Sequence, residues 1–384
     1  MQTEFSILLS DPDLSIAELN AIDDVLRSPR LSDGPNIEAF EAAFAGYVGR
    51  KYAVAVASGT LGLMLTLRAH GIGPGDEVIA TPLGWHQVAH AITLAGAYPV
   101  LAEIDYWSGA LNPEKVPAKI TPRTRALLAG NPNGHPAAWG PLRELAQRHG
   151  LLLLEDSTEA LGSRYQGRMV GGFGDCAVFD FSQPGALCCG DGGMVVTDDA
   201  DVALRLRALR NRRLAERHSV SVTAWPPFQA GMSELSAALG RQQIARLPQM
   251  LMRRKRVEQY YLDHILTFEG IKPPYQAPDV DEVHWFLCLV HLGTRFTKSG
   301  RDAIVHDLHT AGVEAAAYCH PLHQQRHYVE LGYRRGDFLV TEKIADRAVA
   351  LPFHAHLTED QVGFIVQTAK DASINVGAGA AIYL

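Results

Sequence analysis

Phe179-Asp180-Phe181-Ser182-Gln183-Pro184-Gly185-Ala186-Leu187-Cys188-Cys189-Gly190-Asp191-Gly192-Gly193 is the stretch on which the reading of this chain turns. It joins two apolar runs, 177–181 and 194–197, that read as strands. The connection is glycine-rich and carries two adjacent cysteines. It has no lysine, and none occurs anywhere between Lys119 and Lys255. Upstream, runs 53–57, 77–81, 99–104, 126–129 and 151–155 look like strands buried on both faces. Stretches 60–70, 85–96 and 140–149 read as helices between them. Such alternation is the signature of a parallel sheet covered on both sides.

Further out, Ser15-Ile16-Ala17-Glu18 forms a capping box that opens a helix towards Arg27. Pro35 leads into a second helix, with Ile37, Phe40, Phe44 and Tyr47 at helical spacing. A long helical stretch begins near Ser233, and Pro248 predicts a kink or short break within it. Beyond about 255 the chain reads as a separate α/β unit, with a strand over 284–292 and helices over 302–311 and 360–371. The expected organisation is an N-terminal helical segment (1–34), a large domain (35–254) and a small domain (255–384). The tail 372–384 is small and apolar. It reads either as a disordered end or as a tail tucked into a partner.

A chain of 384 residues calls for two domains. Hydrophobic content of 47% with 20% charged residues is that of a soluble globular protein. The net charge of −7 argues against nucleic acid as the partner. Arg253-Arg254-Lys255-Arg256 reads as a solvated helix face. The five cysteines form no C-x-x-C pair, so neither a zinc site nor a disulfide framework is expected. A cytoplasmic setting fits. No apolar run has signal or membrane-spanning length.

The 179–193 stretch resembles the lysine segment of the DegT/StrS-like sugar aminotransferases, roughly F-S-F-x-P-T-K-x-L-x-x-G-E-G-G. Gly34-Pro35, Ala53–Thr60, Gly71–Val78, Met232–Leu235, Leu322-His323 and Leu351-Pro352 resemble further motifs of that family, in order and at its spacing. The resemblance implies the fold type I aminotransferase scaffold: a large domain with a mostly parallel seven-stranded sheet, and a smaller C-terminal α/β domain. It implies pyridoxal phosphate chemistry, a small-molecule substrate, and a homodimer with clefts shared between subunits.

On that register the cofactor positions divide. Asp156 matches the aspartate that faces the pyridinium nitrogen, and Trp85 the aromatic residue stacked on the ring. Glu159 falls near the ring hydroxyl, and Ser58-Gly59-Thr60 on the phosphate-binding turn. Gly185 falls on the Schiff-base lysine, Asp180 on a phosphate-binding serine, Gln229 on an asparagine reaching in from the neighbouring subunit, and Gly231 on a nearby arginine. Gln183 lies in the same segment. Glycine offers no amine, so no covalent pyridoxal phosphate is expected. A carboxylate at 180 offers no donor and repels a phosphate dianion.

The remaining residues still carry chemistry. Asp156, Glu159 and Asp180 would crowd three carboxylates together, a condition for splitting their pKa values into an acid and a base. His86 lies four residues before His90 on the expected helix and is a candidate acid/base partner. His135, in Asn131-Pro132-Asn133-Gly134-His135, is a candidate substrate contact. Cys188 and Cys189 read as small buried residues or, less simply, as nucleophiles. No metal site is expected.

Three readings stand. In the first, the former cofactor cleft does acid/base chemistry without pyridoxal phosphate: isomerisation, epimerisation, dehydration or cyclisation of a keto-sugar or natural-product intermediate. In the second, pyridoxamine or pyridoxal phosphate is held non-covalently by an aminotransferase or dehydratase. In the third, the chain is a non-catalytic partner of another enzyme.

Overall fold

Ser15 opens helix α1 (Ile16–Arg27) with the expected capping box, its N–H donating to Glu18 Oε2 at 2.8 Å. The structure is a computed structural model describing residues 5–85, 89–211, 226–265 and 275–376, with the backbone alone at 382–383. Pro35 starts α2 (Pro35–Val48), and Gly49 ends it in the left-handed conformation at φ +81°. The buried face of α2, Ile37, Phe40 and Phe44, packs on Phe179 and Phe181 of the sheet. Hence the apolar spacing of this helix covers one sheet face.

The large unit follows as β1 (Tyr52–Val56), α3 (Gly59–Ala69), β2 (Glu77–Ala80), α4 (Ala89–Leu94), β3 (Tyr98–Leu101), β4 (Thr124–Gly130), α5 (Trp139–His149) and β5 (Leu152–Asp156). A small hairpin, β6 (Arg164–Tyr165) and β7 (Arg168–Met169), precedes β8 (Cys176–Asp180), β9 (Gly193–Thr197) and α6 (Ala200–Arg210). The seven-stranded sheet runs β1-β9-β8-β5-β4-β2-β3, and only β9 is antiparallel to its neighbours. Strands β1, β2 and β5 are buried on both faces, which explains their continuous apolar runs. The mostly parallel sheet expected from the family resemblance is therefore present.

Helix α7 (Glu234–Ile265) runs unbroken through Pro248, so the expected break is absent. Leu247, Met250 and Leu251, buried around the proline, offset the lost backbone bond. The helix also passes straight through residue 255, so one rigid element belongs to both units. The basic run on it is a solvated face only at Arg256, which is exposed. Arg254 is buried and donates to the carbonyls of Phe353, Trp285 and Phe286 at 2.8–2.9 Å. Burial lowers its pKa to about 10. Arg253 pairs with Asp13 of the N-terminal segment, and Lys255 with Glu258 at 2.8 Å. The run pins three segments to the long helix, an outcome that composition alone does not reveal.

The smaller unit comprises β10 (Val280–Glu282), which pairs with β6, then β11 (Cys288–Leu292), α8 (Lys298–Thr310), β12 (Ala316–Ala317), α9 (Arg326–Glu330), α10 (Leu339–Ala345), β13 (Ala348–Leu351), α11 (Glu359–Asn375) and β14 (Ile382–Tyr383). Its sheet runs β12-β13-β11-β14. The expected strand over 284–292 is shorter because Phe286 and Leu287 spend their N–H groups on Asn133, at 3.3 and 3.0 Å, instead of on a ladder. Part of the apolar tail, 382–383, adds a short strand beside β11. The N-terminal segment joins this unit through Ile7, which bridges to Val313. Among the described residues no helix is long and apolar enough to cross a membrane.

Candidate active site

The parallel strands share a direction, so their C-terminal ends collect on one edge of the sheet, the usual ligand crevice of such folds. Asp156 ends β5, Asp180 ends β8, and Gly59 begins α3 just after β1. Gly193 lies between Val56 and Asp180 in the ladder. A Cβ there would lie 2.7 Å from Gly59 N, so glycine is what lets the Ser58–Thr60 turn settle against the sheet. The turn then meets Asp180. Gly59 N–H donates to Asp180 Oδ2 at 2.6 Å, and a Cβ on Gly59 would lie 2.8 Å from that of Asp180. The other oxygen, Oδ1, accepts from Ser182 N at 2.8 Å and from Ser182 Oγ at 2.5 Å. Ser58 caps the helix through Leu61 N at 3.2 Å.

Thr158 links two of the candidate carboxylates. Its hydroxyl donates to Asp156 Oδ1 at 2.7 Å and accepts from Asp180 N at 3.0 Å. Asp156 is buried, and its Oδ1 also accepts from Thr158 N at 3.1 Å. Glu159 faces a different set of donors: Trp85 N at 2.9 Å, Asn133 N at 2.7 Å and the Tyr318 hydroxyl at 2.6 Å. Asp156 and Glu159 share the wall of a small cavity with Thr81, Gly84 and Asn131. Asp180 stands on the far side of Thr158, against the mouth of α3. The three carboxylates sit at one sheet edge, each held by its own donors.

Neighbouring residues fix this edge, and sequence reading passed over them. Glu155 is fully buried and accepts from Gly171 N, Phe173 N and Gly174 N at 2.6–3.0 Å. Asn131 donates to Glu155 and Ser157 and accepts from Ala137 N and Trp139 Nε1 at 2.9 Å. Tyr318 arrives from the small unit, 159 residues away in the chain. The Asn131–His135 segment had been singled out only for its histidine. The signal that could have been found was a pair of asparagines at the end of a strand, where side-chain amides complete backbone turns.

The other sequence candidates fall as follows. Gly185 is half-buried, and a Cβ there would approach nothing closer than 3.4 Å. Gln183 is exposed. Gln229 is exposed, with a left-handed backbone at φ +51°. It sits beside the phosphate-type turn, because Ala57 N–H donates to the Ala230 carbonyl at 2.8 Å. Trp85 is half-buried and packs near Phe286 and Tyr318. His135 is buried. Its Nδ1 donates to the Pro136 carbonyl at 2.8 Å, its Nε2 accepts from Ala277 N at 3.2 Å, and its ring stacks on Tyr275. Burial lowers its pKa. Both ring nitrogens are thus committed to backbone. His86 lies outside the described residues. Cys188 and Cys189 are buried and their thiols are pushed up, Cys188 to about 11, which leaves them poor nucleophiles. Among the described residues no group of three or more His, Cys, Asp or Glu could hold a metal.

A second cavity, of about 620 Å³, lies behind the carboxylates between α7, β11 and the loops at 106–109 and 132–135. It touches Asn133 and Tyr318, the donors to Glu159, but neither Asp156 nor Asp180.

Pyridoxal phosphate can be tested against these residues end by end. The ring end offers a buried carboxylate at Asp156, while the Trp85 ring packs near Phe286 and Tyr318. The aldehyde end is not suited, since position 185 is glycine and, among the described residues, no lysine lines either cavity. Nor is the phosphate end, because Asp180 already takes the Gly59 N–H that a phosphate would use. A covalently held, phosphate-bearing cofactor does not fit the residues present.

Comparison with known proteins adds an independent line. The family model described as DegT/DnrJ/EryC1/StrS aminotransferase family matches residues 12–370. The dTDP-3-amino-3,4,6-trideoxy-alpha-D-glucose transaminase of Streptomyces venezuelae is 38% identical over 353 residues, covering 91% of this chain and 90% of the relative. The GDP-perosamine synthase of Caulobacter vibrioides is 35% identical over 339 residues, covering 87% and 89%. Among solved structures, S. venezuelae DesV in complex with a ketimine intermediate superposes with a TM-score of 0.84 at 36% identity, covering 93% of this chain and 94% of that one. The fold is that of the fold type I aminotransferases.

Proposed function

Because the chain belongs to the DegT/DnrJ/EryC1/StrS aminotransferase family, we propose that it acts on a small keto-sugar, with a pyridoxamine-type cosubstrate held by non-covalent contacts. The observation that carries this reading is Asp156. The residue is buried at the end of β5 with Oδ1 held by Thr158, on the wall of a small cavity, in a chain with glycine at 185. Trp85 offers a face for a planar ring, and Asp156 a carboxylate for a ring nitrogen. Asp156, Asp180 and His86 are the candidates to hold or move a proton at the substrate. On this reading the Ser58–Thr60 turn, Gln183 and Gly185 belong to the substrate or cofactor cleft, and His135, on the rear cavity, to the substrate. The active unit is a homodimer in which Gln229 of each subunit reaches the other's cleft.

Turnover of a nucleotide-linked keto-sugar, with and without an added pyridoxamine-type compound, tests the proposal. The expected product carries an amino group in place of the carbonyl oxygen, seen by mass spectrometry, and forms only when the compound is present. Equal turnover without any such compound would instead establish acid/base chemistry in the cleft. That second reading is favoured by one observation, the Asp180 carboxylate standing at the helix mouth. A chain that turns over nothing in either condition would be left with the role of a partner protein.

A further inference from the structure

The cavity between α7 and β11, of about 620 Å³, has the size that takes a drug-sized molecule. Rings make up much of its wall. Tyr261, Trp285 and Phe353 line it from one side, Trp107 and Tyr275 from the other. The centroid of Trp107 lies 5.7 Å from that of Tyr275, which in turn stacks on His135 at 5.8 Å. Trp107 is nevertheless 63% exposed, although a side chain of that size is ordinarily well covered.

Polar groups gather at the end of β11. Leu292 N–H donates to the Arg347 carbonyl at 3.0 Å, which sets Arg347 beside His291 and Thr294 on the lining. Among the described residues Arg347 has no carboxylate partner, and its Nε donates to the Phe296 carbonyl at 3.3 Å. The His291 ring makes no hydrogen bond among the described residues. Burial lowers its pKa to about 4, so at neutral pH it is an uncharged imidazole with one N–H to donate. Glu258, the carboxylate on the lining, is already paired with Lys255 at 2.8 Å and with the Trp285 indole N–H at 2.9 Å. The charge left over on the wall is positive.

We propose that this cavity binds an aromatic monocarboxylate, its rings among Trp107, Tyr275, Trp285 and Tyr261 and its carboxylate on Arg347, with His291 and Thr294 as further donors. A guanidinium fork matches a carboxylate through two parallel hydrogen bonds, and a single guanidinium suits a single negative charge. Flat rings pack on ring walls edge to face or offset. The occupant touches Asn133 and Tyr318, which hold Glu159, and meets the small cavity at Leu83, Gly109 and Pro132. It therefore abuts the sheet-edge carboxylates without depending on the chemistry assigned to them.

Equilibrium dialysis of the intact protein against pyrenebutyrate, pyrenebutanol and pyrenebutylamine tests the proposal, because the three share one ring body and differ in the charge of the head. The wild type should take up pyrenebutyrate saturably, at least about tenfold more tightly than the alcohol, with the amine weakest. Arg347→Gln should bring the acid down to the affinity of the alcohol and leave the alcohol unmoved. Trp107→Ala should weaken all three alike, and Leu262→Trp, which places an indole in the cavity, should abolish uptake. Thermal melts show that each variant is folded. Lack of saturable uptake by the wild type, equal affinity for acid and alcohol, or an acid preference that survives Arg347→Gln overturns the proposal. Uptake unmoved by both Trp107→Ala and Leu262→Trp overturns it too, since the probe then lies elsewhere.

Discussion

Tyr318 donates its hydroxyl to Glu159 Oε2 at 2.6 Å, joining the small unit to the C-terminal edge of the large sheet. Both residues are buried. Burial, and after it the charge of Glu159, raises the tyrosine pKa well above its usual value, so the phenol stays a donor. Glu159 in turn accepts the backbone N–H of Trp85 at 2.9 Å. The ring wall of the candidate cleft is therefore placed by a contact between units, and α7 holds those units in register.

Tyr318→Phe removes one of the donors to a buried carboxylate. The expected loss is about 1.5–3 kcal/mol, the range for a hydrogen bond to a charged group. Urea unfolding followed by far-ultraviolet circular dichroism measures it. An unchanged midpoint and slope would mean that Glu159 does not depend on this bond.

Gly185→Lys on its own should not give a stably yellow protein with pyridoxal phosphate. The new side chain has room, since the nearest atoms to a Cβ at 185 are carbonyl oxygens at 3.4 Å. The obstacle is Asp180 in the phosphate position. Adding Asp180→Ser to Gly185→Lys should produce visible absorbance that survives gel filtration. Should the single variant already hold the yellow compound after gel filtration, the electrostatic role assigned to Asp180 is wrong.

Acid should destabilise the fold through buried and half-buried histidines. Burial pushes His284, His291 and His354 each down to about 4. The unfolded chain takes protons near 6.5, so stability is full above that pH and falls as pH drops towards 4. At pH 5 each histidine should account for a loss of about 2 kcal/mol. Urea midpoints at pH 7.5 and pH 5 read the total, and His354→Phe should flatten the profile by about one proton. A variant with the wild-type slope would remove His354 from this account.

Much of the fold was legible because burial on two faces and helical spacing leave periodic traces in single segments. Runs 53–57 and 151–155, the Ser15 capping box and the Pro35 helix start all depend on near neighbours in the chain. What could not be read depends on distant partners. Arg254 looked solvated because its acceptors, the carbonyls of Trp285, Phe286 and Phe353, lie 31–99 residues away. The strand at 284–292 lost its first residues to Asn133 for the same reason. At the site, the residue types at 156, 159 and 180 were readable from the family resemblance, but not their separate attachments. Nothing local to Glu159 announces Tyr318, and nothing local to Asp180 announces that Gly193 lets Gly59 approach it.

Those separate attachments assign different duties to Asp156 and Glu159, which pairwise substitution can expose. Asp156 fastens one oxygen to Thr158 and faces the small cavity at the sheet edge. Glu159 fastens both oxygens to three donors that belong to the scaffold. Both carboxylates line the small cavity, and Asp156, at the end of β5, is the one assigned here to proton handling or to a ring nitrogen. Asp156→Asn should therefore lower kcat by about 10²–10⁴-fold, with the melting temperature little changed. Glu159→Gln should act the other way, lowering stability by about 1–3 kcal/mol because an amide offers N–H where the three donors need acceptors. Its surviving folded fraction should turn over at a rate near that of the wild type. Steady-state rates and thermal melts of the two variants, taken over a range of pH, separate the outcomes. A Glu159→Gln protein that melts normally but has lost turnover would move the proton-handling role from Asp156 to Glu159.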